Sequence, residues 1–313
     1  MVKVIVGMMG SSVAKGSASV ATLEQVKSFL NVVKSHGVKE LDTARVYNAG
    51  RSEELLGEVG APKDFLVATK APGFASGSLS EASILSNAEK SFAALKQEEI
   101  DLYYIHGPDR DTPLEDTCRA IGKLWKQGRF ERFGISNLRA DEVQTIHDIC
   151  KREGYCLPTV YQGGYNPIHR NAEKGLFPTL RQLNMSFYAY SPLAGGLLAK
   201  PIDEMIKPKP GTRFDLMPVF GQIYLNATNI AALKKIHDIC DKNGVSSTEA
   251  TMRWFMHHAP LAKEDGIILG ASTEAQVEAT LSACEKGPLP TEVAEGFERL
   301  WDEIREQGLP YHC

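Results

Sequence analysis

The chain has 313 residues, 43% of them hydrophobic and 24% charged, a composition that excludes a long disordered chain and a collagen-like repeat. Its 35 basic residues against 39 acidic ones leave a formal charge of −4, without the basic surplus of a nucleic-acid binder. No apolar run approaches the ~18 residues that span a bilayer, and the apolar start through Gly7 is too short for a signal peptide. The expectation is therefore a cytoplasmic protein with no membrane segment. Six scattered cysteines show neither CxxC nor a Cys/His metal spacing. Reduced thiols and no metal site are expected.

Apolar runs rich in Val, Ile, Tyr and Phe predict strands at 2–8, 38–43, 65–70, 100–106, 132–136, 159–161, 185–190 and 266–270,. Their near-continuous apolar character suits parallel strands buried on both faces. Helix signals fall between them. Thr22 and Gln25 form a capping box, and Gly37 closes the helix,. Thr112 followed by Pro113 reads as a second start, with the proline at the first helical position,. After Ser191, Pro192, Pro201, Pro208, Pro210 and Pro218 interrupt the pattern until a helix begins near Asn226. So long a stretch inside a compact domain reads as a binding loop, with Arg213, Phe214 and Tyr224 suited to touch a ligand. Ser246 with Glu249, and Thr273 with Gln276, repeat the capping pattern,. A last helix over 291–307 precedes the tail Leu309–Cys313. Eight strands alternating with helices predict a (β/α)₈ TIM barrel, an α/β fold, filling residues 1–313 as a single domain. The open doubly wound sheet lacks its GxGxxG fingerprint.

In such a barrel the working face is the C-terminal end of the strands. Asp42, Lys70 and His106 close predicted strands two, three and four, and Tyr47 stands in the loop above Asp42. Alone, Asp42 reads as a strand-end cap, and a single Lys70 or His106 as structural. Together, at strands about 4.8 Å apart, they make chemical sense. A lysine ammonium favours phenolate and moves a tyrosine towards acid–base work. Aspartate keeps the lysine charged, and histidine orients a carbonyl oxygen. Met9, at the end of the first strand, is placed to touch substrate. Ser12 and Lys15 match an SxxK pattern, but without its companion motifs they read as loop.

Leu41-Asp42-Thr43-Ala44-Arg45-Val46-Tyr47, then Ser52-Glu53, Lys70, the segment Asp101 to His106, Gly134 to Asn137, Gln162, and Tyr190 to Leu193 resemble, in order, the signature of the aldo-keto reductase superfamily. Leu193 to Leu197, Gly270 to Gln276 and Gly287 to Leu289 are most similar to the aflatoxin-aldehyde reductase branch. The resemblance implies NADPH-dependent reduction of aldehydes or ketones, with Tyr47 as proton donor, Lys70 and Asp42 tuning it, and His106 orienting the substrate. It also implies that Ser136, Asn137 and Gln162 hold the nicotinamide carboxamide, and that Tyr190 stacks on the ring. Ser191, Leu193, Gly195 and Gly196 would follow the pyrophosphate. Gly270, Ser272, Thr273 and Gln276 would meet the 2′-phosphate. Gln276 stands where many members carry arginine, so the preference for NADPH is expected to be modest. Arg213 is assigned either to the pyrophosphate or to an acidic substrate, and Met9 and Tyr224 to the substrate pocket. Expected partners are a small-molecule carbonyl substrate but neither nucleic acid nor membrane, and a homodimer is left open. The superfamily also holds channel β-subunits that bind NADPH as regulators, and reductases or dehydrogenases dedicated to one natural product. Both remain alternatives.

Overall fold

Eight strands, β1 (Lys3–Gly7), β2 (Glu40–Asp42), β3 (Leu66–Ala71), β4 (Ile100–Ile105), β5 (Phe130–Ser136), β6 (Pro158–Gly164), β7 (Ser186–Tyr190) and β8 (Gly266–Gly270), pair in chain order and close into a barrel. This computed structural model describes residues 2–9, 22–208, 215, 221 and 224–313. Every pairing is parallel, as the apolar runs require,. The register places Asp42 opposite Ala68, Lys70 opposite Tyr104, and Tyr104 opposite Gly134. Five residue pairs join β1 to β8, but only Tyr188–Gly266 and Ala189–Ile267 join β7 to β8.

Among the fully described elements, the helices are α1 (Leu23–Ser35), α2 (Arg51–Val59), α3 (Glu81–Leu95), α4 (Leu114–Lys126), α5 (Ala140–Glu153), α6 (Ala172–Gly175), α7 (Phe177–Gln182), α8 (Ile202–Ile206), α9 (Ala227–Lys242), α10 (Ser247–His257), α11 (Glu274–Cys284) and α12 (Thr291–Ile304). A 3₁₀ turn, Arg305–Gln307, extends α12 to the predicted end. The capping box of α1 forms in both directions, Gln25 N to Thr22 Oγ1 at 3.2 Å and Thr22 N to Gln25 Oε1 at 2.9 Å. Ser246 and Thr273 cap α10 and α11, but the reciprocal half of each box does not form, Glu249 pairing with Arg253 and Lys286 and Gln276 accepting from Ser272 N. Asn226 caps α9, accepting from Asn229 N at 2.9 Å.

Two local expectations fail. Helix α4 begins one residue later than predicted, because Pro113 takes the cap position and Thr112 instead donates its hydroxyl to Asp109 Oδ2 at 2.7 Å. The stretch after Ser191 is not a continuous loop. A 3₁₀ turn, Ala194–Gly196, and helix α8 lie within it. Leu197, Leu198, Ile202 and Met205 are buried there, so hydrophobic packing fixes a segment whose prolines suggested none. Arg213, Phe214, Ser12 and Lys15 lie outside the described residues. Among the described residues, no helix is long and apolar enough to cross a membrane.

The main core lies between strands and helices. A smaller one, Ile5, Ala68, Leu102, Tyr104, Val160, Tyr188 and Ile268, fills the barrel interior. Towards the strand starts, Arg132 bonds Asp101 at 3.1 and 2.5 Å and Glu40 at 3.1 Å, and Tyr188 donates to Glu40 at 3.3 Å. Paired charges of this kind close the interior at the end opposite the predicted working face.

Candidate active site

Asp42 is the last residue of β2, and the strand register buries it beside Lys70. Lys70 Nζ donates to Asp42 Oδ1 at 2.5 Å and to the Thr43 carbonyl at 2.6 Å. It lies 5.1 Å from the centre of the Tyr47 ring and also hydrogen-bonds Tyr47. Burial works against the ammonium, but Asp42 and then Tyr47 outweigh it and hold Lys70 above its ordinary value,. His106 follows β4, its ring edge-on to Tyr47 at 5.6 Å. Burial, and then the Lys70 charge, push its imidazole down to about 3, so the ring is neutral at neutral pH. All four predicted groups therefore meet at the C-terminal mouth of the barrel.

The loop carrying Tyr47 is clamped from below. Arg45 Nη1 meets Glu53 Oε2 at 2.6 Å, Thr69 donates to Glu53 Oε1 at 2.6 Å, and Thr43 and Ser52 share a bond of 2.7 Å. Glu53 is fully buried, and burial holds its carboxyl above the usual range against the pull of Thr69, Ser91 and Arg45. Gly50 has φ +94°, and a Cβ there would stand 1.4 Å from Arg45 Nη2. Sequence reasoning quoted Arg45, Ser52 and Glu53 but gave them no task. Their positioning role rests on contacts with α2 and β3 that no local pattern reveals.

Ser136 and Asn137 lie at the end of β5, where Asn137 takes a left-handed backbone with φ +62°. Its amide nitrogen donates to the His106 carbonyl and to Ser136 Oγ, each at 2.9 Å. Its side-chain oxygen accepts from the Tyr190 hydroxyl at 2.8 Å. Gln162 donates to Asp42 Oδ2 at 2.8 Å. Ser191 (φ +55°), Ala194 (φ +49°), Gly195 (φ +70°) and Gly196 (φ +122°) bend the chain beyond β7, with Leu193 between them. Gly270, Ser272, Thr273 and Gln276 are exposed where β8 meets α11. Thr273 Oγ1 accepts from Gln276 N at 3.2 Å, and Gln276 Oε1 from Ser272 N at 2.9 Å.

Met9, two residues past β1, is 38% exposed. Tyr224 is buried, its hydroxyl bonded to Asn166, which in turn donates to the Ser191 carbonyl at 3.0 Å. Its place is thus behind the Ser191 segment. Two further features carry no signal in the sequence. Phe74 (φ +70°) is 54% exposed and packs edge-on against His106 at 5.7 Å. The tail reaches the site as well, with Cys313 N donating to the Asn137 carbonyl at 3.2 Å and Arg110 Nη2 to Cys313 O at 2.7 Å.

The sequence profile of the Aldo/keto reductase family matches residues 3–302. The chain belongs to that family. It is 43% identical to "Oxidoreductase sirO" of Leptosphaeria maculans over 93% of this chain and 89% of the relative. It is 37% identical to an aldo-keto reductase of Pseudocercospora fijiensis, covering 90% and 99% of the two chains. It is likewise 37% identical to mouse aflatoxin B1 aldehyde reductase member 2, covering 93% and 83%. The eight-stranded barrel and the likeness to the aflatoxin-aldehyde reductase branch agree with the expectations from sequence. Membership makes this aldo/keto reductase an oxidoreductase of carbonyl chemistry.

Proposed function

We propose that the protein reduces aldehydes or ketones to alcohols with NADPH, as one domain spanning residues 1–313. The observation that carries this reading is the buried Lys70–Asp42 pair beneath Tyr47, with a neutral His106 ring beside it. Tyr47 gives its phenolic proton to the developing alkoxide. Lys70 stabilises the phenolate left behind, and Asp42 keeps the lysine charged. Neutral His106 offers a ring N–H to the carbonyl oxygen.

The residues fit a nicotinamide dinucleotide. Ser136, Asn137 and Gln162 are buried polar groups fixed around Asp42 and Tyr190, the chemistry a carboxamide needs. Tyr190 presents a ring for stacking. Ser191, Leu193, Gly195 and Gly196 turn the backbone so that N–H groups approach a pyrophosphate. Gly270, Ser272, Thr273 and Gln276 open helix α11, where a phosphate is favoured. When bound, NADPH supplies the hydride.

Exposed apolar side chains, Phe74 and Val46 beside His106 and Tyr47, and Met9 past β1, favour neutral aromatic or α-dicarbonyl substrates over acidic aldehydes. The name of the mouse relative, an aldehyde reductase, supports the substrate class. The test follows NADPH oxidation by absorbance with 4-nitrobenzaldehyde and succinic semialdehyde. Faster turnover of the aromatic aldehyde is expected. Tight NADPH binding without turnover on either would replace the enzyme with a regulatory NADPH-binding protein.

A further inference from the structure

Lys70 is held between two aromatic rings, of which only Tyr47 was expected there. Its ammonium lies 5.5 Å from the ring centre of Tyr104 as well as 5.1 Å from that of Tyr47. Tyr104 is the β4 residue opposite Lys70, fully buried and part of the barrel interior. The next strand makes room for it. Gly134 pairs with Tyr104, and a Cβ at Gly134 would stand 2.2 Å from Tyr104 Cδ1. The Tyr104 hydroxyl makes no hydrogen bond of ordinary geometry. Burial, and then Asp42, push it well above its usual pKa, while Gln162 stands near enough to oppose the shift. A buried hydroxyl with only Gln162 in poor geometry beside it gains little,, so what the site draws from this residue is its ring.

A fully buried ammonium needs strong compensation. Asp42 and the Thr43 carbonyl supply two acceptors. A ring face attracts a cation through its quadrupole, more so when both are shielded from water. We propose that Tyr104 is a positioning residue of the proton-donating pair, its ring holding the Lys70 ammonium charged and seated beneath Tyr47. This rests on the roles given above to Tyr47 and Lys70. The titratable groups acting with Lys70 are Asp42 from β2, Tyr47 and Glu53 beyond it, and His106 from β4. The carboxyls of Asp42 and Glu53 favour the ammonium, and His106 is kept neutral.

The consequence is a pH signature. Reduction needs the protonated pair and fades as pH rises through the value at which Tyr47 and Lys70 together lose a proton. The ring disfavours the form in which Lys70 is neutral. Removing it brings that form within reach and moves the alkaline limb of kcat down, by up to about one pH unit.

The experiment records kcat for aldehyde reduction against pH at saturating NADPH, and the Kd for NADPH by fluorescence. Tyr104→Phe keeps the ring and removes the hydroxyl, so its limb should match the wild type. Tyr104→Met keeps bulk without a ring, so its limb should move down with the Kd unchanged. Tyr104→Leu supplies the same comparison should the methionine variant not fold. A ringless variant with the wild-type limb overturns the proposal, as does a phenylalanine variant that shifts as far as the ringless one. Tyr47→Phe separates the two levels. Turnover surviving there removes the underlying reading, whereas turnover lost there beside an unshifted ringless variant removes this inference alone.

Discussion

Asp42, Tyr47, Lys70 and His106 occupy one small volume, yet each owes its state to a different neighbour. Lys70 is charged because Asp42 accepts from it, and His106 is neutral because burial removes water from its ring. Tyr47→Phe keeps the ring and deletes the proton donor. Aldehyde turnover should fall ~10²–10⁴-fold while NADPH affinity, measured by fluorescence, stays unchanged. Glu53→Ala tests the clamp. It leaves Arg45, 15% exposed, without its carboxylate. Loss of one partner from a buried pair costs about 3–5 kcal/mol, so the thermal midpoint should drop well below that of an exposed-pair variant such as Lys242→Ala. Asp42, Lys70 and His106 were legible because each is a polar residue at the end of an apolar run, and Tyr47 because it stands in the loop just beyond Asp42. Arg45 and Glu53 were not, since their pairing joins a loop to α2 and β3. Phe74 gave no signal because its importance lies in a left-handed backbone that puts a ring over His106.

Among the elements, α11 has the most consequential ends. At its start, Thr273 and Gln276 satisfy backbone N–H groups of Gln276 and Ser272, and under the proposed function a 2′-phosphate would have to displace the glutamine. NADPH should therefore bind more tightly than NADH by a modest factor. Dissociation constants at one ionic strength check this, and equal values remove the 2′-phosphate role from this segment. Beyond α1, His36 bonds Glu285 at 2.7 Å and Glu278 at 3.1 Å, tying α1 to α11. The bond to Glu285 chiefly raises its pKa, burial opposes it, and Glu278 adds to it. The stabilisation is present in full below the ordinary value of 6.5 and is lost as pH climbs through the raised value,. Thermal midpoints of wild type and His36→Gln should differ below pH 6.5 and converge well above it. Capping residues made the starts of α1, α10 and α11 readable. The segment after Ser191 misled because buried Leu197, Leu198, Ile202 and Met205 hold it in place of regular hydrophobic periodicity.

At the scale of the molecule, barrel closure followed from eight apolar runs alternating with capped helices, because parallel strands need helical crossovers and covered faces. Of the described non-glycine residues with a left-handed backbone, Lys96 and Asn184 end helices ahead of β4 and β7, and the others gather at the opposite end. Asn48, Ala49, Phe74, Asn137, Ser191 and Ala194 all flank the mouth, where backbone strain commonly accompanies function. A closed barrel has no edge, but its rungs are unequally shared among its seams. With two residue pairs between β7 and β8 against five between β8 and β1, the wall is thinnest directly below Ser191 and Gly270. Native-state hydrogen exchange should find this seam breathing first, since regions with few shared bonds open at low free energy. A dinucleotide straddling Ser191 and Gly270 would stitch the gap, so NADPH should slow exchange of the Tyr188, Ala189 and Ile267 amides more than those of β3 and β4. The barrel would thus be complete as a mechanical object only once its cofactor is in place.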